Sequence, residues 1–243
     1  MLIKADLHNH TTFSFDGEMS PRRFVKLYAR LGFGAVAVTE HNTILGALAV
    51  RDLDPPFKVI VGEEIKSKQG EIIGLFLEKN IRKGMSAVDT AKAIHDQGGL
   101  TLLPHPFVYL VPSRMDHRVL PELLPHLDII ENINARAPEP TRDRFSALWS
   151  RTLGVTASAG SDAHNAGAVG NGYVLMEDFD DPQDFLEKLG RAAIVSERRE
   201  SMFRTALNFA LGHTWGPPRV FGMIRRYKRG APIRAVWDPA GAV

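Results

Sequence analysis

Short apolar segments that end in clusters of histidine and carboxylate recur along this 243-residue chain, and no other feature limits its fold as strongly. Residues 35–38 run into Thr39-Glu40-His41-Asn42, and residues 59–61 into Gly62-Glu63-Glu64. Residues 100–103 run into Pro104-His105-Pro106, and residues 155–160 into Ser161-Asp162-Ala163-His164. A further cluster, Asp6-Leu7-His8-Asn9-His10, stands near the start. Short β-branched or leucine-rich runs read as buried parallel strands, and sheets and barrels of parallel strands gather functional groups at the strands' carboxyl ends. Five polar clusters at five such ends can therefore meet although they lie far apart in the chain. Residues two apart on a strand point the same way, so Asp6, His8 and His10 are expected on one face with two imidazoles aimed at one point. Of the nine histidines, five (His8, His10, His41, His105 and His164) fall in these clusters.

Between the clusters the pattern alternates. Strands are expected over residues 3–8, 35–39, 59–65, 71–77, 100–103, 128–133, 155–159 and 173–176, with Lys68-Gln69-Gly70 as a hairpin turn. Ser20-Pro21 has the chemistry of a helix start, and Phe24, Leu27, Tyr28 and Leu31 then share a face before Gly32. Further helices are expected from Ser86 to Gln97, over 141–152, and from Asp181-Pro182 to Gly190. Strands alternating with helices imply parallel β/α units, an α/β class.

The length suits one barrel-sized domain with a remainder. The domain is expected over residues 1–197, followed by an extension over 198–243 that is helical over 200–211 and then rich in proline and glycine. Net charge is +2 but unevenly spread: residues 198–234 hold nine Lys or Arg and one acid, +8, against −6 for the rest. A basic extension of this kind attracts anions, whether phosphorylated substrate, nucleic acid or an anionic membrane surface. There are no cysteines, so metal ligands must come from His, Asp and Glu and a thiol nucleophile is excluded. No run approaches a transmembrane span and no secretory h-region opens the sequence, which with the absence of cysteine points to the cytoplasm.

The ordered set Asp-x-His-x-His, Thr-Glu-His-Asn, Gly-Glu-Glu, Pro-His-Pro and Ser-Asp-Ala-His resembles the PHP (polymerase and histidinol phosphatase) family of metal-dependent phosphoesterases, over roughly residues 3–197. The resemblance implies a distorted barrel of about seven β/α units with the site at the carboxyl end of the strands. It implies two or three divalent ions (Mn, Fe, Zn or Mg). One would be held by His8, His10, Glu64 and Asp162; a second would share Glu64 and take His105; a third would use Asp16, His41 and His164. By the same resemblance these eight residues form the catalytic set. The family's carboxylate stands two residues after glycine, which selects Glu64 and leaves Glu63 facing away, toward solvent or in a structural role. The family commonly has Asp where this chain has Glu40. Many relatives have His where this chain has Glu71, which is either an oxygen ligand in its place or an exposed carboxylate at a hairpin start. Glu131 is either a ligand of the second ion or a group that orients His105.

Clustered ions lower the pKa of bound water, orient it and hold nonbridging phosphate oxygens, so no Ser or Cys nucleophile is needed. Arg136, two residues past Asn134, is the expected phosphate clamp, since guanidinium meets phosphate in a bidentate way. Asn134, Arg114 and His117 complete the expected substrate groups. The expected partner is a small phosphorylated metabolite or a nucleotide, with short nucleic acid as a further candidate; the oligomeric state stays open. The alternatives are an amidohydrolase-like metal hydrolase, which typically keeps a bridging lysine, and a nucleic-acid-binding module with exonuclease or no activity.

Overall fold

The computed structural model of the protein describes residues 1–107, 114–137 and 141–197, with the backbone alone for 141–143. In chain order its elements are β1 (Leu2–Asp6), α1 (Pro21–Arg30), β2 (Ala35–His41), α2 (Leu45–Arg51), β3 (Lys58–Lys66), β4 (Glu71–Leu75), α3 (Ala87–His95) and β5 (Leu100–Leu103). Next come α4 (Leu120–Leu123), β6 (Ile129–Asn134), α5 (Thr141–Leu153), β7 (Thr156–Gly160), β8 (Gly172–Glu177), α6 (Pro182–Leu189) and β9 (Ala193–Ser196). The expected helix over 200–211 lies outside the described residues.

All nine strands join one sheet in the order β7-β6-β5-β4-β3-β2-β1-β8-β9. Past the ends of β1 and β7 the chain pairs again: Asp162 N–H donates to the His8 carbonyl at 2.8 Å and His10 N–H to the Ala163 carbonyl at 3.0 Å. The first and seventh strands are thereby tied together, and the sheet curls into a nearly closed barrel. No helix among the described residues is long and apolar enough to cross a membrane.

Alternation along each strand sorts the core. Val36, Val38, Val61, Ile72 and Ile130 pack outward with Phe24 and Tyr28 of α1, Val50 of α2 and Ile94 of α3. Ala35, Ala37, Ile60, Ile73, Leu102 and Ile129 form the other cluster, which Phe185 and Leu189 of α6 complete. The same period of two assigns the polar residues at the strand ends to one face or the other. His41 continues the face of Ala35 and Ala37, and Glu64 that of Ile60, whereas Glu40 and Glu63 continue the helix-facing side.

Helix starts obey local chemistry. The Ser20 hydroxyl caps α1 by accepting from Arg23 N–H at 3.3 Å, with Pro21 in the first position, and Ser86 caps α3 by accepting from Asp89 N–H at 3.1 Å.

Several expectations need correction. The pairing is not uniformly parallel: the hairpin at residues 67–70 reverses the chain without a crossover helix, so β4 runs antiparallel to both β3 and β5, and at the other edge β1–β8 and β8–β9 are antiparallel as well. The first strand ends at Asp6, so His8 and His10 stand on the segment beyond it. Leu31 is exposed, since α1 buries only Pro21, Phe24 and Tyr28. Helix α2 has no side-chain cap and little polar periodicity, and β9 is a short edge strand; neither leaves a strong sequence signal.

Candidate metal centre

His8, His10, Asp16, His41, Glu64, His105, Asp162 and His164 converge at the carboxyl end of the barrel, and all but His41 are buried. Glu64 is the hub. Its Oε2 lies 3.5 Å from His8 Nε2, 3.4 Å from His10 Nε2 and 3.1 Å from His41 Nδ1, and its Oε1 lies 3.1 Å from His105 Nε2. Asp162 Oδ1 stands 3.6 Å from His8 Nε2 and 3.4 Å from His10 Nε2. Asp16 turns its carboxylate inward, 3.5 Å from His41 Nε2 and 3.0 Å from His164 Nε2.

These distances test whether a cation fits. Four donors at about 2.1 Å from a tetrahedral ion stand about 3.4 Å from one another. The four contacts of His8 and His10 with Glu64 and Asp162 span 3.4–3.6 Å, long for hydrogen bonds and right for the edges of such a polyhedron. Moreover, the Nε2 atoms of His8 and His10 and Oδ1 of Asp16 are buried without a hydrogen-bond partner. Buried polar atoms are rarely left so, and cations bound at the cluster would satisfy all three. Donor atoms of His10, His41 and His164, of His8, His10 and Asp162, of His8, Glu64 and His105, and of His41, Glu64 and Glu71 also lie close enough to share an ion.

The charges agree with this chemistry. Burial opposes ionisation of Glu64, but His8 and His41 outweigh it and hold the carboxylate well below its usual range. Burial likewise opposes ionisation of Asp162, and His8, Arg136 and His164 overcome it. Asp16 is also held low, burial being outweighed by His164 and His41. Buried carboxylates kept ionised beside imidazoles suit a hard divalent ion.

Backbone and packing hold the groups in place. His105 and Asp162 occupy the left-handed region, at φ 32° and 47°. That conformation costs about 1–3 kcal/mol and persists where its surroundings demand it. Gly160 is required where β7 passes β1, because a Cβ there would lie 2.4 Å from the Cβ of His8.

Glu131 touches His8 rather than the hub: His8 Nδ1 lies 3.1 Å from its Oε1, while its Oε2 accepts from His105 N–H at 2.7 Å and from the Asn134 amide at 3.0 Å. It thus steadies both histidines, His8 through the ring and His105 through the backbone. Glu71 is buried, with Oε2 3.9 Å from His105 Nε2, so the exposed-carboxylate alternative is overturned. Glu63 is fully buried as well, which removes its solvent-facing alternative; it accepts from Ile81 N–H at 2.8 Å. Asp6 faces neither imidazole of the cluster. It accepts from the Tyr28 hydroxyl at 2.8 Å and from Ser161 N–H at 3.0 Å, tying β1 to α1 and to the segment after β7.

The expected substrate groups divide. Arg136 lies beside the cluster, Nη1 3.0 Å from His164 Nε2 and 3.7 Å from Asp162 Oδ1, and Nη2 3.7 Å from Asp16 Oδ2. Asn134 directs its amide hydrogens to Glu131 and, at 3.2 Å, to Asp162, which ties these two carboxylates together. His117 Nε2 meets the Pro106 carbonyl at 2.9 Å and its ring packs against Phe107 and Trp149. The backbone of Arg114 rests against the Gly70 turn. Sequence reasoning missed Ser14, which bonds His10 Nδ1 and His41 N–H, and also Thr11, which bonds Glu40, and Tyr28, which bonds Asp6 and Asn9; the one signal was the extra methylene at Glu40.

Glu63 offers a test apart from the cluster. Burial pushes its carboxyl up to about 7, only partly offset by the bond from Ile81. The folded state therefore keeps a proton that the unfolded chain releases near pH 4.5. The associated stability is fully present below pH 4.5 and is lost as pH rises through about 7. Glu63→Gln removes this loss. Its stability relative to the parent should rise from pH 4.5 to pH 7, by up to about 3 kcal/mol at about 1.4 kcal/mol per pH unit. Chemical denaturation across that range measures it; parallel curves for the two proteins would refute the assignment.

Comparison with known proteins agrees with the site. Residues 6–114 match the PHP domain and residues 141–194 the PHP-associated segment. The uncharacterized protein MJ1587 of Methanocaldococcus jannaschii is 41% identical over 117 residues, covering 43% of this chain and 68% of that protein. A two-domain protein from Bacteroides vulgatus, containing a predicted PHP-like metal-dependent phosphoesterase, superposes with a TM-score of 0.65 at 20% identity. That likeness covers 81% of this chain and 65% of the Bacteroides chain, so the chain spans just under two thirds of that protein. Endonuclease Q, crystallised with a 27-mer duplex bearing an abasic lesion, superposes with a TM-score of 0.60 at 14% identity over 85% of this chain and 67% of its own.

Proposed function

The chain belongs to the PHP family of metal-dependent phosphoesterases, and from that premise we propose that it hydrolyses a phosphate ester of a small metabolite or nucleotide. The observation that carries this reading is the set of imidazole and carboxylate donors at polyhedral spacing, with two buried Nε2 atoms lacking a partner, beside the Arg136 guanidinium.

Divalent ions bound there would supply an activated water and neutralise charge on the phosphoryl group. The chain's own residues do the rest. His8, His10, Glu64 and Asp162 would hold the first ion, Glu64 and His105 the second with Glu71 as a further oxygen donor, and Asp16, His41 and His164 a third. Glu131 keeps the His8 ring oriented through Nδ1, which leaves Nε2 for the cluster. Arg136 has a side chain about 15% exposed, so it can turn its fork to a phosphate at the mouth while staying anchored beside Asp16 and Asp162.

One observation weighs against an amidohydrolase reading. No lysine is among the buried residues of the described chain, so none is available to bridge two ions.

A panel of phosphomonoesters, cyclic and linear phosphodiesters and short single- and double-stranded oligonucleotides tests the proposal. It is run on metal-reconstituted protein whose metal content is measured by elemental analysis. Phosphomonoester or nucleotide turnover that vanishes on chelation supports the reading; cleavage of oligonucleotides alone, or of amides, overturns it.

Arg136→Ala should raise KM for a phosphorylated substrate about 10- to 100-fold with a smaller change in kcat, since a charge-assisted contact contributes about 1.5–3 kcal/mol. Steady-state constants with a dephosphorylated analogue as competitor read it out. An unchanged KM would exclude the clamp.

A further inference from the structure

Glu40 lies on the helix-facing side of β2, away from His41, and makes no hydrogen bond to a ligand side chain. It is nevertheless fully buried, and its contacts lead to the cluster. Its Oε1 accepts from Thr11 N–H at 2.9 Å and from the Thr11 hydroxyl at 2.5 Å, and its Oε2 accepts from the Ser14 hydroxyl at 2.5 Å. Ser14 has one proton to give and two lone pairs to offer. The proton goes to Glu40, whose Oε2 also accepts from Thr11 N–H at 3.1 Å while its Oε1 accepts from the same residue, so both oxygens are placed as acceptors. The lone pairs face His41 N–H at 3.1 Å and His10 Nδ1 at 3.0 Å. With an acceptor on that side, His10 carries its proton on Nδ1. The lone pair is then on Nε2, the buried atom without a partner that stands 3.4 Å from both Glu64 and Asp162.

The room for this carboxylate is also specified. A Cβ on Gly46 would lie 2.1 Å from Glu40 Oε1. Gly46 is the second residue of α2, where alanine would be the better helix former. Close approach of the longer acidic side chain explains why it is there.

We propose that Glu40 is a positioning residue that acts through Ser14 to fix the ring and tautomer of His10 for cation binding, with Gly46 as the opening that admits it. Glutamine cannot replace it. Both carboxylate oxygens face donors, so one would meet an amide NH₂ that has nothing to accept. Residues supporting a ligating histidine are worth about 10- to 100-fold in metal affinity.

The proposal rests on reading His10 as a cation ligand, so His10→Ala is the reference variant. Full-length protein is titrated with Co²⁺, followed by its d–d absorption, and long-range ¹H–¹⁵N spectra of histidine-labelled protein report the His10 tautomer. Glu40→Gln, Ser14→Ala and Gly46→Ala should each weaken Co²⁺ binding about 10- to 100-fold. In Glu40→Gln and Ser14→Ala the Nδ1–H form of His10 should no longer predominate. If Glu40→Gln does not fold, Ser14→Ala, which removes one hydroxyl, carries the test. Variants that melt earlier but keep the parent's Co²⁺ affinity and His10 tautomer would reduce Glu40 to a structural role and overturn the proposal. A weakened His10→Ala beside unaltered Glu40→Gln and Ser14→Ala overturns the relay alone. An unaltered His10→Ala overturns the ligand reading and the relay with it.

Discussion

Glu64→Gln is expected to lower phosphoester turnover by about a thousandfold and to reduce bound metal, while Glu63→Gln stays within about twofold of the parent. The magnitude comes from several kcal/mol of charge stabilisation by the ions, at a factor of ten for each ~1.4 kcal/mol. Glu64 is the group through which four imidazoles are linked, His8, His10 and His41 through Oε2 and His105 through Oε1. Glutamine keeps the shape but puts a donor where a shared acceptor is required. Its neighbour points to the opposite side of β3 and bonds Ile81, so the same substitution there touches no ligand. Single-turnover kinetics and elemental analysis on both variants make the comparison. The reverse order of severity would mean that the register of β3 against the site is misassigned.

Asp162→Ala should abolish measurable turnover and release at least one ion, and His8→Ala should do the same. The Asp162 carboxylate approaches His8 and His10 together, receives an amide hydrogen from Asn134, and lies 3.7 Å from Arg136. Its loss leaves two ligating imidazoles and a guanidinium facing a site stripped of one of its buried negative charges. A site that still held the parent's metal content would show that the ions are bound elsewhere. Metal content and circular dichroism measured on the same sample separate loss of the site from loss of the fold.

The ligand set was legible because its chemistry is local. Each candidate ligand except Asp16 falls within a polar cluster at or just after a short apolar run; the strand period puts Glu63 and Glu64 on opposite faces, and the family resemblance chose Glu64 between them. Asp16, on the segment between β1 and α1, has no such signature, and only the family resemblance singled it out. Caps such as Ser20-Pro21 and Ser86 also act within one turn, so the starts of α1 and α3 were readable. Helix α2 was not, for its residues are apolar on nearly every side and lack a capping side chain.

The supporting groups lay beyond reach for a different reason. Ser14 carries no mark that distinguishes it from any loop serine. Its value comes from Glu40 on one side and His10 on the other, and Glu40 is 26 residues away. Glu131 meets His8 across 123 residues, a pairing that exists only because β1 and β6 are brought around the same barrel. The exposed-or-ligand question at Glu71 and the solvent-or-structural question at Glu63 were likewise matters of burial, which depends on what packs opposite.

By itself the sequence determined that this protein gathers histidines and carboxylates at strand ends, that any ions must bind through nitrogen and oxygen, and that Glu63 and Glu64 face opposite ways. Periodicity and side-chain chemistry are properties of neighbours along the chain, so these conclusions needed no fold. Only the tertiary structure decided that β4 runs antiparallel, that β1 and β7 are joined beyond their ends, and which buried acids serve the ligands instead of being ligands. Those outcomes depend on hydrogen bonds and close approaches between segments distant in sequence, and they are fixed when the barrel closes.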